Sequence, residues 1–196
     1  MNFFIYQGLV GHFHVSYTGP VNPAISKMEW YKSKLCRILG LKGVFFYYSE
    51  KRLTRICHEV IDKTADSHDI WFFHGITPWI KVRPNQPYYA YTDATFLTYL
   101  ENYVGRKAFP EADIKRIVDQ EIYFLEGAKK IFFSSQWALE ETKKNYGLEG
   151  ENFLRVGLGG NIEYTNEPYL AKSLKLLFIS LDFEGKGGWL AFEAFL

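Results

Sequence analysis

The chain has 196 residues, enough for one large domain with its own core, or one domain plus part of another. Its 23 basic and 22 acidic residues leave a formal net charge of +1, which excludes a general electrostatic drive toward nucleic acid or anionic membrane and leaves only local patches. No apolar run approaches the roughly 20 residues needed to span a bilayer, and "MNFFIYQGLVG" lacks the basic region of a signal peptide.

The first element is "NFFIYQG", a short apolar run closed by glycine and read as a parallel strand buried on both faces. The following "LVGHFHVSYTGPVNPA" reads as a long loop, with "HFHVSY" as an alternative strand. Ser26 and Glu29 have the spacing of a capping box, and Gly40 closes the helix they start. "GVFFYY" is read as a second strand. Ser49 opens a helix with Leu53, Ile56, Cys57, Val60 and Ile61 on one face. Cys36 and Cys57 both fall in helical patterns and read as small apolar residues of a reduced protein.

"DIWFFHG" and "PYYAYTDA" are the next strands, and residues 95 to 105 form a weakly patterned helix. Pro110 precedes the longest helix, with an apolar face of Ile114, Ile117, Val118, Ile122 and Leu125. "KIFFSS" is a strand leading directly into the helix "QWALEETKKNYG", and "NFLRVGLGG" is a further strand. The polar stretch 161 to 173 marks a domain boundary. "LKLLFIS", a loop with Lys186 and Gly187, and the start of a helix complete the sequence.

Strands alternating with helices predict an α/β fold, a Rossmann-like parallel sheet with helices on both faces. Open sheets of this kind bind ligands at the carboxyl ends of their strands. The candidates there are Gly8, His74, Thr92, Asp93, and Ser134 with Ser135. Asp93 could hold a sugar hydroxyl or act as a base, or cap the helix after it. His74 could contact an acceptor hydroxyl, or simply pack. Ser134 and Ser135 most simply cap a helix. Tyr88, Tyr89 and Tyr91 read as packed on the sheet. His12 and His14 alternate like metal ligands but have no partners at suitable spacing, so no metal is expected.

The stretch "KKIFFSSQWALEETKKNYGLEGENFLRVGLGGNIE" and the later "LLFISLDFEGKGG" resemble the amino-terminal half and the first donor-domain loop of GT-B glycosyltransferases, most like glycosyltransferase family 4. The resemblance implies an acceptor-side domain over residues 1–168 and the beginning of a nucleotide-sugar-binding domain over 169–196. It implies a retaining transfer from a nucleotide sugar to a glycan or lipid acceptor, with no metal and no other cofactor. Asp93 and His74 would serve catalysis, Lys186 and Gly187 the donor phosphates, and Gly8, Thr92 and Ser134 the acceptor side. The setting would be cytoplasmic, with peripheral contact at the inner face of the membrane. Leu181 stands where the family usually has an arginine five residues before the loop lysine, and Asp93 where many members have histidine. A non-catalytic binding module of doubly wound fold is the alternative. The chain by itself is expected to be inactive, cut soon after the first donor-domain loop, with its apolar tail packed against the main domain or a second copy of the chain, or else disordered.

Overall fold

The structure is a computed structural model that describes residues 3–16, 19, 21–24, 26–41, 46–64, 68–157 and 177–195. The chain divides into two units, Met1–Gly160 and Asn161–Leu196.

The first unit is α/β. Helices α1 (Phe3–Val10), α2 (Lys27–Ile38) and α3 (Glu50–Lys63) precede the strands β1 (Trp71–His74) and β2 (Tyr88–Thr92). Then come the short helix α4 (Phe96–Tyr99), continued as a π-turn to Val104, the long α5 (Glu111–Gly127), β3 (Lys130–Phe133), α6 (Gln136–Tyr146) and β4 (Phe153–Arg155). All four strands are parallel, in the order β1-β2-β3-β4, flanked by helices in a Rossmann-like arrangement.

Each step across the sheet goes the same way, so right-handed crossovers carry the connecting helices to one face. Packing agrees. Phe124 of α5 meets the rings of Phe73 and Tyr88 at 5.4 and 4.9 Å, and α6 packs on β3 and β4. That face supplies Phe73, Tyr88, Ala90, Ile131, Phe133 and Phe153 to the core, all buried. Gly127 is needed there: a Cβ would stand 2.5 Å from the Tyr88 hydroxyl, which donates to Phe124 O at 2.7 Å. On the opposite face Phe72, Tyr89, Tyr91 and Phe132 are half-buried.

The helix starts behave as their sequences dictate. Ser49 and Ser135 each occupy an N-cap, their Oγ atoms accepting from Arg52 N at 3.4 Å and Ala138 N at 3.1 Å. Ser26 holds the cap position of α2, but its side chain makes no capping bond.

Three expected strands are corrected. "NFFIYQG" is helical from Phe3 onward, because a lone apolar run without a strand neighbour satisfies its backbone internally as a helix. "GVFFYY" ends in a 3-10 turn at Phe46–Tyr48 that feeds directly into the Ser49 cap, while its residues 43–45 lie outside the described residues. In the second unit, residues 177–180 of "LKLLFIS" pair with no strand, and residues 174–176 fall outside the description. Among that unit's described residues the regular element is α7 (Gly188–Phe195). The boundary stretch at 161–173 also lies outside the described residues.

Candidate functional site

The carboxyl edge of the sheet collects the strand-end residues expected there, His74, Thr92, Asp93, Ser134 and Ser135. β1 ends at His74. Gly75 follows with φ +78°, a left-handed conformation that glycine alone adopts without strain, and turns the chain away. Its amide donates to Tyr91 O at 2.8 Å, and Trp79 Nε1 donates to His74 O at 2.9 Å. β2 ends at Thr92, and Asp93 comes next. Ser134 follows β3, its amide donating to Thr92 O at 3.1 Å. Gly8 does not end a strand; it lies in α1 and is exposed there.

These residues are not equivalent. Thr92 is buried and its hydroxyl donates to Ala94 O at 2.7 Å, so it shapes the turn. Ser134 is buried. His74 and Asp93 are exposed. The His74 and Tyr91 rings, partners in the β1–β2 register, are near-parallel with centroids 5.9 Å apart. Asp93 is two residues beyond Tyr91, the same parity along the strand. Burial holds the His74 imidazole below its usual range while the Asp93 charge pulls it back up; burial and then Asp93 raise the Tyr91 phenol. His74 is therefore neutral at pH 7, able to donate from one ring nitrogen and accept at the other.

Asp93 does not cap α4. That helix begins at Phe96 with Thr95 in the cap position. Among the described residues Asp93 has no hydrogen-bond or ion-pair partner, so its carboxylate is open to an incoming donor. The arrangement is a half-exposed aromatic ledge with an exposed carboxylate beside it. Such a surface can stack the apolar face of a sugar ring while the carboxylate accepts from its hydroxyls. The sequence reads Tyr91 as packed on the sheet; it is half-buried there and also stacks on His74. Counting alternate residues back from Asp93 is the signal that would have found it.

Behind this edge lies a polar cluster that the sequence reading missed. Glu121 of α5 is fully buried. Its carboxylate accepts from Thr77 Oγ1 at 2.7 Å, from Phe96 N at 3.1 Å and from the Tyr146 hydroxyl. Tyr146 in turn accepts from Leu97 N at 3.0 Å. One side chain thus ties the turn after β1, the start of α4 after β2, and α6 after β3. Burial pushes the Glu121 carboxyl up to about 7 against the pull of its donors. Tyr48 nearby is pushed up to about 12, by burial first and then by Glu121. The signal was an acid at i+3/i+4 spacing inside the core-facing stripe of α5, between Ile117 and Leu125.

Lys186 and Gly187 belong to the second unit and are described within it. Gly187 has φ +76° in the turn before α7. The turn's own acceptors engage its amides: Gly185 N donates to Asp182 Oδ1 at 3.0 Å, Lys186 N to Asp182 O at 3.1 Å, Gly187 N to Glu184 O at 3.1 Å and Gly188 N to Phe183 O at 2.7 Å. The amides of residues 185–188 are therefore engaged within the turn itself.

An open depression of about 380 Å³ lies elsewhere, lined by Leu97, Arg106, Ile114, Lys115, Val118 and Asn145. None of the strand-edge residues lines it. Its charged rim is engaged with itself, Arg106 with Glu111 at 2.8 Å and Lys115 with Asp119 at 2.8 Å. The strand edge therefore remains the better candidate. No cluster of metal-ligating side chains occurs among the described residues, and none of their helices is long and apolar enough to cross a membrane. Comparison with protein-family models, with curated proteins and with solved structures returned no match.

Proposed function

We propose that this chain carries the acceptor-side domain of a GT-B glycosyltransferase, which transfers a sugar with retention from a nucleotide-sugar donor to a glycan or lipid acceptor. The observation that carries the reading is the unpartnered Asp93 carboxylate beside the stacked His74–Tyr91 pair at the carboxyl edge of a parallel sheet. In this reading an acceptor sugar stacks on the Tyr91 side of the ledge. Asp93 accepts a hydrogen bond from the attacking hydroxyl and orients it. Neutral His74 bonds a second hydroxyl. In the second unit, taken by itself, the Lys186 ammonium is the group assigned to the donor diphosphate, whose charge it would offset. The acceptor and the nucleotide sugar are the partners, and no metal is required by the residues in these roles.

The internally bonded loop at 182–188, with Leu181 in place of an arginine, favours a second reading, a doubly wound module that binds glycans without transferring them. Pairing of two copies through the exposed apolar residues of 177–195 belongs to either reading and is checked by sedimentation.

The test is transfer from a panel of nucleotide sugars to glycan and lipid acceptors by the full-length gene product, with glycan binding measured in parallel. Transfer that falls in Asp93→Asn supports the enzyme. Binding without transfer supports the module. Absence of both in a folded protein refutes the sugar site itself.

A further inference from the structure

Helix α2 is mounted with its apolar side outward. A helix advances 100° per residue, so Met28, Tyr31, Leu35 and Ile38, spaced three, four and three apart, form one stripe. These four are 79%, 64%, 57% and 72% exposed, and α2 has no buried residue. The opposite side, Glu29, Ser33 and Cys36, is the half-buried one. It is held in that orientation. Glu29 pairs with Arg55 of α3 at 3.1 Å, and Arg55 also donates to Ala24 O at 2.9 Å. Arg52 donates to Pro23 O and to Asn22 Oδ1, both at 2.6 Å, which fixes the chain leading into the helix. A surface helix of an ordinary globular domain does the reverse and turns such a stripe to the core.

The charges around the stripe identify what it faces. On the helical wheel Lys27 and Lys34 border one side of the stripe and Lys32 the other. Arg37 is a fourth base, and the single acid, Glu29, is neutralised by Arg55 on the body side. Trp30 lies beside Lys34, whose ammonium stands 5.0 Å from the indole centroid. A second copy of α2 docked on this stripe would set lysine rows against lysine rows. An anionic bilayer surface matches both features: apolar side chains enter the acyl boundary, and lysines extend along it to lipid phosphates.

We infer that α2 is an interfacial helix that seats this domain on an anionic lipid surface through Met28, Tyr31, Leu35 and Ile38, with Lys27, Lys32 and Lys34 on the headgroups. The inference is independent of the sugar site. It also accounts for a near-neutral protein with a locally basic element. The helix lies on the membrane and does not cross it.

The test is flotation of the 196-residue protein with phosphatidylcholine vesicles, with and without phosphatidylglycerol. Binding is expected only with the anionic lipid and is expected to fall with salt. Each base near an anionic surface is worth about fivefold, so Lys32→Gln with Lys34→Gln weakens binding roughly 25-fold. Leu35→Glu weakens it at least about tenfold by removing a buried side chain. Ile38→Asp, an independent exposed position, does the same. Tyr103→Glu, exposed outside the helix, leaves it unchanged, and melting curves establish that each variant is folded. Four results would overturn the inference: no binding to anionic vesicles, equal binding to neutral ones, α2 variants that bind like the parent, or a dimer in solution that Leu35→Glu separates while neither form binds vesicles.

Discussion

Glu121→Gln offers a direct measure of how the strand-edge loops are held. The carboxyl has an ordinary value of 4.5 and is pushed up to about 7 by complete burial. Below pH 4.5 both folded and unfolded chains carry the proton, and the group adds no penalty. Between 4.5 and about 7 the unfolded chain has released its proton while the folded one keeps it. Stability therefore declines as pH rises through this window and levels off above it. At about 1.4 kcal/mol for each pH unit, the decline is about 3 kcal/mol. Glutamine keeps the shape without the titration. Its oxygen, in the Oε1 position, can accept from Thr77 and from Phe96 N, the latter at 3.3 Å. Its amide, in the Oε2 position, can donate to Tyr146, whose own proton can turn toward Thr95. The assay is urea unfolding of both proteins from pH 4.5 to 8.5. The expected result is a difference that grows in favour of Glu121→Gln by about 3 kcal/mol across the window and is flat beyond it. Parallel curves would refute the reasoning and mean that the three donors hold the carboxylate charged at ordinary pH.

Asp93→Asn is expected to leave urea stability within about 0.5 kcal/mol, since the side chain is exposed and unpartnered, while reducing glycan binding or transfer at least about tenfold, the worth of a charge-assisted hydrogen bond; unchanged binding at an unchanged midpoint refutes its role. Phe124→Ala removes a fully buried ring that packs on Phe73 and Tyr88, with an expected loss of about 3–5 kcal/mol by the same assay, and a loss under about 1 kcal/mol would mean that α5 does not sit on the sheet as described. Ser135→Ala removes the α6 cap and is expected to lose about 1 kcal/mol, with Ser135→Asp restoring most of it.

The parts of the fold that were legible share one property: each apolar pattern agreed with its boundary chemistry. β1, β2 and β3 are apolar runs with glycine, proline or serine at their ends, and α3 and α6 start at serines that do cap. The misread elements lacked that agreement. "NFFIYQG" is too short for its period to separate strand from helix, and no described strand lies beside it to supply the missing backbone partners. "GVFFYY" runs into a helix cap without room for a turn, so its last residues coil into one. The candidate site divides the same way. Position at a strand end identified His74 and Asp93, since parallel topology carries such residues to a common edge. It could not say which had free side chains, because Thr92 and Ser134 differ from Asp93 in burial, a property of the loops packed over them. Glu121 and α2 were visible as contradictions in pattern, an acid within an apolar stripe and an apolar stripe hemmed by lysines. An acid placed at a core position can persist only where donors converge on it, and here those donors come from the loops after β1 and β2 and from α6 after β3. An apolar stripe with basic borders persists on a surface when its partner is outside the fold. Both departures from simple patterning mark requirements that the core alone does not impose, the first to hold the strand-edge loops and the second to meet another surface.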